Sequence, residues 1–163
     1  MNAITFKTIG IGVNFSPNLE ANINEAARLA LCLGSKLVLI HVGETSDEKS
    51  KTFLTFLKPF VNNGLEFEIL FKSGDPVDVI LSSTLEKNID LLIIGALKKE
   101  NFLKYYLGSI ARKITRKASC SVLLLINPSI ERVPCEHIVV NGLKDPKTKE
   151  TVNTAFLVGH KLG

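Results

Sequence analysis

"IDLLIIGALKKENFLKYYLGSIARKITRKASCSVLLLI", residues 89–126, decides the fold. It begins with IDLLIIG (89–95) and ends with CSVLLLI (120–126), two nearly unbroken apolar runs. Such runs mark strands covered on both faces. Between them SIARKITRKA (109–118) reads as a short basic helix with Ile110 and Ile114 turned inward. A strand, a crossover helix and a second strand in this order make a parallel pair, and the crossover is right-handed. The stretch from Gly95 to Ser109 is a loop with three lysines, Lys98, Lys99 and Lys104, and two tyrosines, Tyr105 and Tyr106.

The same alternation runs upstream. KTIGIGVN (7–14) is a strand, and Ser16 and Pro17 follow as a cap and a first helical turn. Leu19, Ile23, Ala26, Ala27, Ala30, Leu31 and Leu33 recur at helical spacing until Gly34 stops the helix. KLVLIHV (36–42) is a second buried strand. The segment 46–63 is a helix whose apolar side holds Phe53, Leu54, Phe56, Leu57, Phe60 and Val61, with Pro59 expected to kink its last turn. LEFEILFK (65–72) alternates and so belongs near an edge. In GDPVDVILSSTLEKN (74–88), Asp75 caps and Pro76 starts a helix with Val77, Ile80, Leu81 and Leu85 buried. Strict alternation predicts an α/β fold: an open parallel five-stranded sheet, order 3-2-1-4-5, with helices on both faces. The switch point falls between strands 1 and 4. A ligand cleft is expected at their carboxyl ends, beside Asn14, Val42 and Gly95.

Residues 1–126 form this domain, and 127–134 read as a linker. Residues 135–163 repeat the beginning. Segment 136–163 aligns with 7–34 at a shift of 129 without a gap, pairing Ile9 with Ile138, Pro17 with Pro146, Ala26 with Ala155 and Gly34 with Gly163. The tail therefore reads as the first strand and helix of a truncated second repeat. Its apolar residues need a partner, either this domain or a swapped second copy.

Bulk properties narrow the function. At 45% hydrophobic and 22% charged the chain is an ordinary globular protein. No apolar run approaches the roughly 20 residues of a membrane span, and the N-terminus carries no leader-like pattern, so a cytoplasmic location is expected. Cys32, Cys120 and Cys135 are scattered, with no metal-binding spacing, and read as small buried hydrophobes. The chain holds no GxxxxGK[ST], GxSxG, HExxH or GxGxxG, and no nucleophile beside a base, so no enzymatic activity is expected. Asp75, Asp78 and Asp90 read as cap, helix surface and strand flank. Net charge is only +4, but Lys98, Lys99, Lys104, Arg112, Lys113, Arg116 and Lys117 fall within twenty residues. They form either a solvated helix face or a local anion site. No reader motif points to nucleic acid. His41, closing an apolar run, reads as a packed, hydrogen-bonded histidine.

A helix N-terminus with bare backbone suits phosphate. Gly95 and Gly108 stand at the two ends of the loop, with Ser109 at the helix start as a cap or phosphate donor. At these residues the chain resembles the universal stress protein family, over 4–126. The resemblance is carried by VNFSPN (13–18), LIHV (39–42), SGDPVDVI (73–80), DLLIIGA (90–96) and YYLGSIARKITRKASCSVLLL (105–125). It implies an adenine nucleotide alpha hydrolase-like fold and, in nucleotide-binding members, a G-x2-G-x9-G-[ST] motif. Gly95, Gly108 and Ser109 fit that motif, but its second glycine is Lys98 here. The aspartate that such members carry after strand 1 is Asn14. The resemblance implies an ATP or other adenine-nucleotide site made by Asn14, the Val42 backbone, Gly95, Lys98, Gly108, Ser109 and Ile110, with magnesium only if nucleotide is bound. The alternative is an interaction module without nucleotide, dimerising through strand 5.

Overall fold

The computed structural model describes residues 5–96, 108–142 and 144–162. Lys98, Lys99, Lys104, Tyr105 and Tyr106 lie outside them. The elements are β1 (Thr8–Val13), α1 (Leu19–Leu33), β2 (Lys36–Val42), α2 (Asp47–Val61), β3 (Phe67–Lys72), α3 (Pro76–Glu86), β4 (Leu91–Gly95), α4 (Ser109–Lys117), β5 (Ser121–Leu125) and α5 (Thr148–Leu162). The five strands form one parallel sheet in the order β3-β2-β1-β4-β5. This is the expected topology.

Period-two alternation sorts the strand residues onto two cores. Ile9, Ile11, Leu37, Leu39, Leu91 and Ile93 pack with Leu19, Ile23 and Ala26 of α1 and with Phe53 and Leu57 of α2. Val38, Ile40, Leu92 and Ile94 pack with Val77 and Ile80 of α3 and with Ala111 and Ile114 of α4. Helices thus cover both faces. The edge strand β3 has no buried residue, as its alternating sequence foretells. Glu68 on this strand accepts from Lys36 and Lys87, and these ammonium groups hold its carboxyl below the ordinary range.

Local chemistry sets the boundaries. The Asp75 carboxylate accepts from the amides of Val77 and Asp78, capping α3 with Pro76 at its start. The Ser46 hydroxyl caps α2 through the Lys49 amide. Gly34 ends α1 in the left-handed conformation, φ 69°, where its amide and that of Ser35 close the last turn.

Several expectations need correcting. Ser16 does not cap α1. The helix begins two residues later than Pro17, at Leu19, and Asn18 holds the cap position without a side-chain bond. Leu85 is not in the α3 stripe but 68% exposed, because its turn has rotated past the sheet. Leu54 and Val61 are also exposed, so α2 buries only the narrower stripe of Phe53 and Leu57. Ile110 is exposed, and it is Ala111 that turns inward with Ile114.

The tail gives a mixed result. Helix α1 runs 19–33 and α5 runs 148–162, the same helix displaced by the predicted 129. The turns before them match as well: Leu19 N–H donates to Ser16 O, and Thr148 N–H donates to Asp145 O, both at 3.0 Å. The expected strand does not form. Residues 136–142 lie outside the sheet, and Val139 is 94% exposed; a strand without a paired neighbour is not stable on its own. The tail docks on its own domain. Arg28 of α1 donates to the carbonyls of Ser129 (2.5 Å) and Ile130 (2.7 Å), while Leu157 and Leu162 pack at the margin of the first core. Removing the guanidinium with Arg28→Ala leaves two carbonyls without their charged donor. Limited proteolysis is expected to cut 127–135 several-fold faster in this variant while 5–96 stays protected; an unchanged rate would show that the clamp is dispensable.

Candidate functional site

A cavity of about 580 Å³ opens at the carboxyl ends of β1 and β4. That is the switch point, where neighbouring crossovers leave on opposite faces and the chain parts. Its size falls within the range of small-molecule pockets. The sheet supplies the floor. Gly12 of β1 has no side chain there, and a Cβ at this position would lie 3.1 Å from Ile80 Cδ1 and 3.6 Å from Ile94 Cδ1. The glycine therefore keeps open a space that two isoleucines would otherwise meet.

The predicted residues converge. Asn14, Val42, Gly95, Gly108, Ser109 and Ile110 all line this one cavity, although they come from β1, β2, β4 and the start of α4. Lys98 lies outside the described residues. One wall is apolar: Ile40, Val42, Ile80, Ile94 and Ile114. The β1–α1 side carries amides at a spacing of four, Asn14, Asn18 and Asn22.

The third component is the N-terminus of α4. Gly108 occupies its cap position at φ −56°, ψ 159°, with no side-chain cap. Ser109 is therefore the first helical residue rather than the cap. The leading amides of a helix have no partner within it, and among the described residues no side-chain cap meets them. They carry the partial positive charge of the helix end. Basic residues Arg112, Lys113, Arg116 and Lys117 follow on the same short helix. No titratable side chain is among the described lining residues. The described part of the site can bind an anion and an apolar ring, but it holds no acid or base for proton transfer.

A glycine that closes a strand often marks a sharp turn, but Gly95 serves another purpose. Its φ is not in the left-handed region, and Ala96 N–H continues the ladder to Leu125 O at 2.8 Å. The bare Cα is needed for space: a Cβ would lie 2.8 Å from Asn22 Nδ2 and 3.1 Å from Asn22 Oδ1. Asn22 was not foreseen. Its only sequence signal is an asparagine inside a helix, where that residue is a poor former.

His41 stands apart from the cavity. Ile40 and Val42 face it, so His41 faces the other core. Its ring packs among Phe15, Phe53 and Phe71, and Nδ1–H donates to Val13 O at 3.2 Å, as expected of a structural histidine. Cys120 is half-buried, and burial pushes its thiol up from the ordinary value, as suits a packing residue.

Comparison with known proteins agrees with this geometry. Residues 54–125 match the model of the universal stress protein family. Among curated proteins, universal stress protein YxiE of Bacillus subtilis is 27% identical over 62 residues, covering 38% of this chain and 42% of that protein. The matches span 42% and 43% of the length of the curated relatives. Among solved structures, a universal stress protein in complex with cAMP superposes with a TM-score of 0.61 at 20% identity, over 75% of this chain and 98% of that one. A universal stress protein of Archaeoglobus fulgidus in complex with dAMP gives 0.54 at 24% identity, over 74% and 98%. Residues 54–125 thus carry the sequence pattern of the universal stress protein family, and the sheet order is the fold of the solved universal stress proteins.

Proposed function

We propose that the domain binds an adenine nucleotide in the cavity and acts through that bound state, without catalysing a reaction. The observation that carries this is the convergence of Asn14, Val42, Gly95, Gly108, Ser109 and Ile110 on one 580 Å³ space. The base enters against the apolar wall of Ile40, Val42 and Ile80, where the Val42 backbone edge can hydrogen-bond it. The phosphate meets the uncapped start of α4. The nucleotides held by the two solved relatives support the ligand class. Two features fit a binding role better than turnover: the described lining has no acid, base or activated nucleophile, and Asn14 brings an amide rather than a carboxylate. Metal binding has little support from the same lining, since a divalent cation prefers carboxylates. A magnesium ion would enter only on the nucleotide's own phosphates.

A second reading rests on β5. This edge strand keeps Leu123 exposed, with Ile126 exposed just beyond it. An open apolar edge can pair with a second copy, giving a dimerising module that needs no nucleotide. Isothermal titration of ATP into the full chain and into Lys98→Gly separates the two readings. Micromolar binding by the wild type supports the nucleotide site. Binding gained only by the variant identifies Lys98 as a block and favours the interaction module. Thermal denaturation gives a parallel readout, because a ligand at 100 times its dissociation constant stabilises by about 2.7 kcal/mol.

A further inference from the structure

The amide wall holds one group that the fold leaves unpaid. Asn22 lies in the second turn of α1 and lines the cavity. Its Oδ1 is closed off from solvent and has no hydrogen-bond partner among the described residues. Among the described residues the other unpartnered buried atoms belong to Asn24, His41 and Ser83, none of which lines the cavity. Asparagine inside a helix is disfavoured against alanine, and a buried acceptor without a donor costs further stability. The site also accommodates this side chain from across the sheet, since any Cβ at Gly95 would strike its carboxamide.

We propose that Asn22 is a specificity-determining residue that reads a sugar hydroxyl of the bound nucleotide. The inference rests on the nucleotide reading above and extends it. The unpaired atom is an acceptor, so the ligand group that meets it must be a donor. Phosphate oxygens only accept. An adenine nucleotide has two kinds of donor, the exocyclic amine and the sugar hydroxyls. The amine travels with the base to the apolar wall of Ile40, Val42 and Ile80. Asn22 stands on the amide wall with Asn14 and Asn18, beside the end of β4. The sugar lies between base and phosphate, and its hydroxyls are the donors left for this wall. Meeting them requires an Asn22 rotamer that turns Oδ1 from its closed position toward the cavity that the residue lines. A hydroxyl both donates and accepts, so the carboxamide can answer it with either atom.

The test uses the full chain and three ligands, AMP, 2′-deoxy-AMP and 3′-deoxy-AMP, titrated calorimetrically into wild type and Asn22→Ala. Wild type is expected to prefer AMP over at least one deoxy analogue by about 3- to 10-fold, the range of one hydrogen bond. Asn22→Ala is expected to bind AMP as weakly as that analogue, with the analogue's affinity unchanged. Its melting temperature is expected to rise, because an unpaired buried oxygen and a poor helix former are both removed. A variant that keeps the preference overturns the proposal. So does a variant that loses affinity equally for all three ligands, which would place the side chain on the phosphate or in general packing. If wild type binds none of the three, the nucleotide reading itself has failed, and that is visible before the variant is made.

Discussion

Ser109→Asp is expected to abolish nucleotide binding while leaving the fold intact or slightly more stable. The two effects have opposite sign because one residue serves two electrostatic roles. Ser109 is the first residue of α4 and lines the cavity. A carboxylate in a first helical turn interacts well with the helix dipole, worth about 0.3–1 kcal/mol. Helix α4 has no acidic residue in its first turn, so nothing there already supplies this interaction. The same carboxylate would stand where the phosphate has to sit. Two like charges about 4 Å apart repel by about 4 kcal/mol at an effective dielectric of 20, a loss of several hundred-fold in affinity. Ser109→Ala removes only a hydroxyl and should weaken binding by about 10-fold or less. Calorimetric titration with AMP, set beside thermal melts, reads both properties. Wild-type affinity in Ser109→Asp would remove α4 from the site.

Phe53→Ala is expected to produce the largest loss of stability among single substitutions, about 3–5 kcal/mol. Phe53 is fully buried, and its ring lies 5.3 Å from Phe15, 5.8 Å from His41 and 5.8 Å from Phe71. It ties α2 to the ends of β2 and β3. Truncation would leave a cavity that rigid strands on one side cannot close. Against a typical domain stability of about 5–15 kcal/mol, such a loss would leave a marginal fold. Urea denaturation should show a lower midpoint at nearly constant slope. Phe156→Ala is the matched control. Phe156 is 74% exposed on the tail helix, and its truncation should change stability by about 0.5 kcal/mol or less. Equal losses at the two positions would contradict the placement of the core.

The fold was legible because its signals are local and repeat. The unbroken runs at 36–42 and 89–95 could be read as doubly covered strands, and their order followed from the crossovers between them. The cavity was legible for a related reason: once the switch point is known, the residues ending β1, β2 and β4 must meet there. What escaped depended on contacts between distant elements. Nothing near Gly95 announces that its missing side chain makes room for Asn22, a residue 73 positions earlier. The exposure of Leu85 and Ile110 was missed because helical spacing fixes which residues share a face but not how far that face turns toward the sheet. The tail shows the same limit. Its helix and preceding turn follow from local sequence and appear at the predicted offset. Its strand needs a neighbour that local sequence cannot provide.

The central claim is that the uncapped amides at the start of α4 and the backbone at the end of β2 face a single bound nucleotide. Amide chemical shifts of the isotope-labelled full chain, followed while AMP is added, test this most directly. The account predicts that Gly108, Ser109, Ile110, Val42 and Gly43 shift together along one saturating curve, while Gly34 and the α5 amides stay in place. Spectra unchanged at millimolar AMP, or changes confined to the tail and β5, would contradict it.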